Sequence, residues 1–213
     1  MAMTVALLAL LACIGTTVHA APLSVHVLAA DGKPLRGAVV QVSSVDAPTR
    51  HAVPEHAVMD QINRAFAPDL LVLPVGSTVL FPNSDSVAHQ IYSFSPVKRF
   101  QLPLYHGKPY PPVEFDQTGI VTLGCNIHDS MLAYVVVTDA AYFGRTDPSG
   151  LWSADVSQGR YRVSIWHPRL REEAATLGQE ITVAATDPVA LTVHLKKPLQ
   201  PAQLSDRPYS WEY

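Results

Sequence analysis

Charge is scarce in this chain: Asp, Glu, Lys and Arg make up 15% of 213 residues, with 15 basic against 18 acidic, a formal net charge of -3. No basic stripe runs along any segment, which excludes a protein that grips a phosphate backbone, so no nucleic-acid partner is expected. Long apolar runs are also missing. Crossing a bilayer takes roughly 20 apolar residues, nothing here approaches that, and no transmembrane segment is expected. Cysteine is almost absent. The two present are Cys13 and Cys125.

The first of these falls in a segment that reads as a targeting signal rather than as part of a fold. Residues 4–12 are mostly apolar and are followed by Val18-His19-Ala20, a small-residue cleavage pattern. Residues 1–20 are therefore expected to be a signal peptide cut after Ala20, with the mature protein soluble and periplasmic. Leu10-Leu11-Ala12-Cys13 also has the form of a lipobox, the minor alternative, which would anchor the protein through Cys13. Cleavage after Ala20 leaves Cys125 without a disulfide partner in an oxidising compartment. A lone exported thiol is a liability unless it is buried or used as a nucleophile, redox centre or metal ligand.

What the chain has in quantity is punctuation. Its 11 Gly and 18 Pro separate short Val-rich runs of strand length, the texture of an all-β protein. Strands are expected at residues 25–28 and 38–42, joined as a hairpin by the turn 30–34, and again at 70–74, 78–81, 89–94, 113–115, 119–123 and 132–138. Residues 100–112, rich in Pro and Tyr, read as an ordered loop. Further strands are expected near 151–155, 161–166, 181–184 and 190–195. Leu170, Ala174 and Leu177 would share one face of a short helix over 169–177, bracketed by Pro168 and Gly178.

Chemistry concentrates in one loop. Cys125, His128 and Met131 place a thiolate, an imidazole and a thioether within seven residues, between two strands. Thiolate and thioether favour cuprous ion, imidazole tolerates both oxidation states, and two His with a Cys and a long axial Met form the electron-transfer copper geometry. His89, after the strand 78–81 and the turn 82–85, supplies the second imidazole. His106 is a weaker candidate for a fifth donor, while His51, His56 and His167 read as loop or structural residues. Lys98 and Arg99 read as a solvated patch able to dock a partner.

The run Val75-Gly76-Ser77-Thr78-Val79-Leu80-Phe81-Pro82-Asn83-Ser84-Asp85 leading to His89 resembles the cupredoxin pattern of glycine turn, apolar strand, Asn-x-Asp loop and first histidine. Cys125-x-x-His128-x-x-Met131 has the spacing of the amicyanin-like blue-copper loop. Residues 59–139 together resemble the cupredoxin-domain periplasmic proteins labelled methylamine utilisation proteins. The resemblance implies a Greek-key β-sandwich, one copper ion cycling between Cu(I) and Cu(II) on His89, Cys125, His128 and Met131, and a redox or copper-exchange partner protein. Gln90 and Ile127 stand where blue-copper proteins often carry Asn and Pro.

Residues 27–40 and 146–163 resemble the two halves of a carboxypeptidase regulatory-like (transthyretin-like) β-sandwich, and neither half could bury a core alone. The expected organisation is therefore a signal peptide (1–20), an N-terminal hairpin belonging to the regulatory-like domain (21–58), a cupredoxin domain (59–139), the rest of the regulatory-like domain (140–197) and a tail (198–213). The expected role is one-electron transfer with no enzymatic chemistry, since no third residue orients Cys125 and His128 as nucleophile and base. Competing readings are a copper carrier without a fast redox couple, and a carbohydrate-binding or adhesion module stacking sugars on Trp152 and Trp166.

Overall fold

The computed structural model describes residues 20–46, 53–185 and 187–202. The signal-peptide and lipobox segments up to residue 19, and His51, lie outside the described residues.

The chain opens with β1 (Ala20–Leu28) and β2 (Val39–Ser44). Ten strands follow in a contiguous block: β3 (His56–Val58), β4 (Asp60–Ile62), β5 (Ala65–Ala67), β6 (Leu70–Pro74), β7 (Ser77–Leu80), β8 (His89–Ser95), β9 (Lys98–Tyr105), β10 (Val113–Phe115), β11 (Gly119–Gly124) and β12 (Leu132–Thr138). The last five are β13 (Tyr142–Arg145), β14 (Leu151–Ser157), β15 (Gly159–Trp166), β16 (Gln179–Val183) and β17 (Val189–His194). The architecture is all-β.

Pairing sorts these strands into two sandwiches. In the first, a sheet ordered β14-β1-β17 faces one ordered β13-β2-β15-β16. In the second, a sheet ordered β6-β12-β11-β8-β9 faces one ordered β10-β7-β3, with the small hairpin β4-β5 at its side. Residues 20–44 thus pair with strands that follow Thr138, and β3 to β12 pair among themselves. Pairing in the second sandwich starts at His56, three residues before the boundary expected at 59.

β1 and β2 do not form the expected hairpin: they lie in opposite sheets of the first sandwich. The reason is burial. Ala21, Leu23, Val25 and Val27 on one strand and Ala38, Val40 and Val42 on the other all face the same core with no exposure. Two facing layers can bury both sets, whereas one flat hairpin would leave a layer wet; each buried Val or Leu contributes about 1.5–3 kcal/mol.

The second core gathers Phe81, Ile91, Phe115, Val121, Leu123, Val135 and Val137 with Cys125 and Met131. A third, small cluster of Val39, Leu70 and Val136 joins the sandwiches, flanked by Tyr134 against Trp166 at 5.5 Å between ring centroids. That junction explains why β12 reads as an unbroken apolar run: it is covered on both faces. Trp152 is buried in the first core, and partly exposed Trp166 packs at the junction against Tyr134.

Two expectations about local structure change. The helix over 169–177 shrinks to a single 3-10 turn, Ala174–Leu177, because Pro168 and Gly178 leave too few residues between them for a stable α-helix. Residues 98–105 of the expected patch and loop are the strand β9 instead; it is an edge strand, the place where Pro103 is tolerated because its missing N–H need not serve a neighbour.

Gly150 closes the first sandwich. It adopts φ +74°, and a Cβ there would lie 2.6 Å from the Val27 carbonyl oxygen and 3.0 Å from the Leu35 nitrogen. Gly150→Ala is expected to lower stability by at least about 2 kcal/mol, from left-handed strain plus collision with immovable backbone. A denaturation midpoint within error of wild type would contradict this.

Candidate metal centre

Three neighbouring elements build the site. β8 and β11 lie side by side in the five-stranded sheet, with Tyr92 opposite Gly124. His89 therefore emerges at the start of β8 beside the loop that leaves β11 at Cys125. The fit is close: a Cβ at position 124 would sit 2.9 Å from the outer end of the Tyr92 ring, which would have to shift. Beyond Cys125 the loop turns back on itself through Met131 N–H donating to the His128 carbonyl at 3.0 Å, then enters β12.

Three of the four expected donors come together. His89 Nδ1 and His128 Nδ1 are 3.1 Å apart, and Cys125 Sγ lies 3.9 Å from the first and 3.8 Å from the second. A point equidistant from the three atoms is about 2.1 Å from each, against bond lengths of roughly 2.0–2.3 Å for imidazole nitrogen and thiolate sulfur on a first-row divalent ion. The donor set fits a soft to borderline transition metal. Met131 is buried in the same apolar cluster as Cys125. Among the described residues these His and Cys side chains form the one cluster of three or more His, Cys, Asp or Glu side chains close enough to hold a metal ion.

Protonation favours ligation. Asp85 Oδ2 accepts from His89 Nε2 at 3.0 Å, which turns Nδ1 toward the cluster. Burial works against the charge of Asp85, but hydrogen bonds from His89 and from the Arg64 and Ser86 N–H groups outweigh it and hold the carboxyl below its usual range. The His128 imidazole is also pushed down, chiefly by burial and then by the charges of His89 and Arg64, so it is neutral at pH 7 with its lone pair available.

Asp85 carries the role that the sequence reading missed. Its position four residues before His89 was visible, but nothing in the spacing gave it a partner. Its orientation depends on the hairpin β4-β5, also unread in the sequence. That hairpin turns through Asn63 (φ 54°) and Arg64 (φ 57°), the two-positive-φ turn favoured between twisted strands, and brings Arg64 N–H to 2.6 Å from Asp85 Oδ2. Asp60 on the same hairpin accepts from Ser84 N and Ser84 Oγ, tying down the loop before β8.

A buried polar network braces the other side. Asn83 Nδ2 donates to the carbonyls of Val87 and Tyr105 at 3.0 Å each. Tyr105, opposite His89 on β9, donates its hydroxyl to the Phe81 carbonyl at 2.7 Å and accepts from Gln61 Nε2; burial first of all pushes its phenol up to about 12, so it stays neutral. The remaining histidines are elsewhere. His106 Nε2 meets the Asp85 backbone carbonyl and is not one of the clustered donors, and exposed His56 meets Thr78.

No protein-family model matches the chain, and no curated protein matches it. Solved structures do. The chain is similar to a novel purple cupredoxin from Nitrosopumilus maritimus at 25% identity, over 38% of this chain and 99% of that one, with a TM-score of 0.36. It is similar to the P94F mutant of amicyanin at 19% identity, over 46% of this chain and 99% of that one, also at 0.36. A copper-containing nitrite reductase from Thermus scotoductus matches at 23% identity over 53% of this chain but 28% of its own length, with a TM-score of 0.37.

Proposed function

We propose that this chain is a periplasmic copper protein that holds a single ion on His89, Cys125, His128 and Met131 and passes single electrons to or from a partner protein, without substrate chemistry of its own. One observation carries the reading: two imidazole nitrogens and a thiolate sulfur meet in a triangle of 3.1, 3.9 and 3.8 Å. When bound, copper supplies a one-electron couple. The protein's contribution is to hold its donors still. His89 is fully buried and tied to Asp85, Cys125 is 3% exposed, and the loop before β8 is fastened from two sides. Donors held this way change position little between oxidation states, which keeps the reorganisation accompanying electron transfer small. His128 is only half-buried and sits beside exposed Ile127, giving the site an edge toward solvent where a partner could approach.

The strand pairing supports a further part of this proposal: the copper-binding block is inserted into a regulatory-like sandwich made of residues on either side of it. The proposed function is tested by the visible spectrum of the protein loaded with one equivalent of cupric ion. A strong thiolate-to-copper charge-transfer band, with a reversible one-electron wave in voltammetry, is expected. A pale copper complex without such a wave would favour storage or delivery, and absence of binding would sink the reading. Trp166→Ala, at the junction of the sandwiches, is expected to leave the band in place.

A further inference from the structure

A second feature lies away from the donor cluster, where the two sandwiches meet. A cleft of about 430 Å³ is lined by Arg36, Arg145, His167 and Arg169, with Asp69 as the one acidic side chain on its walls. None of the four proposed copper ligands lines it. Three arginines and one aspartate line it in a chain whose net charge is -3, so this is a local reversal of the protein's overall sign. Segments distant in sequence are brought together to make it.

Two of these arginines are held in place, each by a different segment. Arg145 donates from Nη1 to the Leu70 carbonyl at 3.2 Å, and its Nη2 is 3.9 Å from Asp69 Oδ1. It lies against Gly37, which adopts φ +77° and where a Cβ would come within 3.2 Å of that same Nη2, so glycine makes room for the guanidinium. Arg169 donates from Nε to the Gln200 carbonyl at 2.7 Å, which leaves its two Nη groups directed elsewhere. His167 Nδ1 accepts from Arg169 N–H at 3.2 Å. Arg36 is exposed at the rim.

Positioned guanidiniums with remaining N–H donors match the planar oxygen pairs of carboxylates and phosphates, and the volume is within the range of small-ligand sites, roughly 300–1,000 Å³. We propose that this cleft binds a small oxyanion bearing two negative charges, a phosphate or a dicarboxylate, at the junction of the two sandwiches. Net lining charge argues for two negative charges rather than one, since three arginines face a single aspartate.

The test is calorimetric titration of the full chain with inorganic phosphate and, separately, with succinate, at constant ionic strength held by chloride. Saturable binding of one equivalent of either is expected. It should weaken by about tenfold or more in Arg36→Gln/Arg169→Gln, because charge-assisted hydrogen bonds to the anion are lost. Preference for phosphate or for succinate identifies the ligand class. Arg36→Gln alone, at an exposed position, keeps the test valid if the double variant fails to fold, and is expected to weaken binding several-fold. Cys125→Ala is expected to bind the anion as wild type does, since that residue is remote from the cleft. Binding of neither anion, or binding undiminished in the arginine variants, overturns the proposal.

Discussion

Replacing Cys125 by Ala is expected to abolish the visible charge-transfer band and to reduce cuprous affinity by more than the roughly 10–100-fold that loss of an outer hydrogen-bonding partner costs a metal site. Cys125 is the sole anionic donor of the proposed set, and the two imidazoles that remain bind cupric ion without a thiolate to donate charge. Alanine is the better choice here. Cys125 is 3% exposed in an apolar core, where a serine hydroxyl without a partner would cost about 1–3 kcal/mol and confuse ligand loss with unfolding. Competition with a chelator specific for cuprous ion gives the affinity, and circular dichroism checks the fold. A variant that keeps its band would remove Cys125 from the site.

Asp85 offers the second large effect. Its carboxylate accepts from His89 Nε2 at 3.0 Å, which on the proposed function would make the ring a better donor and stabilise the more highly charged cupric form. Asp85→Asn keeps an acceptor oxygen in place but removes the charge; Asp85→Ala removes both. Copper affinity is expected to fall about 10–100-fold in the alanine variant, with the asparagine variant between it and wild type. The reduction potential should rise in both. Each tenfold loss of preference for cupric over cuprous ion is about 59 mV for a one-electron couple. A purely structural role for Asp85 would broaden or lose the spectrum without moving the potential in this graded order. Unchanged potential in Asp85→Asn would remove the carboxylate from the proposed tuning.

How much of this was legible in the residues depends on range. Strand positions were largely readable, because alternation and turn residues are local signals: Leu23, Val25 and Val27 announce an inward face, and Gly76 and Gly150 mark turns. The approach of Cys125 to His128 was readable for the same reason, since their spacing lies within one loop. His89 was inferred only by assuming that its strand neighbours that loop, and β8 beside β11 brings it there. Layer assignment was not legible. Val25 and Val40 look alike whether they pair with each other or face each other across a core, so the expected hairpin was a reasonable reading of an ambiguous pattern. The β4-β5 hairpin escaped because Asn63-Arg64 lacks the Asn-Gly or Asp-Gly signature of its turn, and because three-residue strands are too short to show alternation. Asp85 escaped with it: a carboxylate in a polar turn looks solvated until Arg64 N–H and His89 Nε2 are seen on it.

The middle strand of the β14-β1-β17 sheet has a consequence for time as well as for space. β1 is made first among the described strands, yet its parallel neighbour sets Leu23 beside Val189 and its antiparallel neighbour sets Val25 beside Trp152. Both partners emerge only after the whole of β3 to β12 has been synthesised. Strands that wait for distant partners close late, because the loop entropy must be met before the contacts reward it. The block β3 to β12, contiguous in sequence, is therefore expected to fold while β1 is still unpaired, so the donor loop can take its shape before the first sandwich closes.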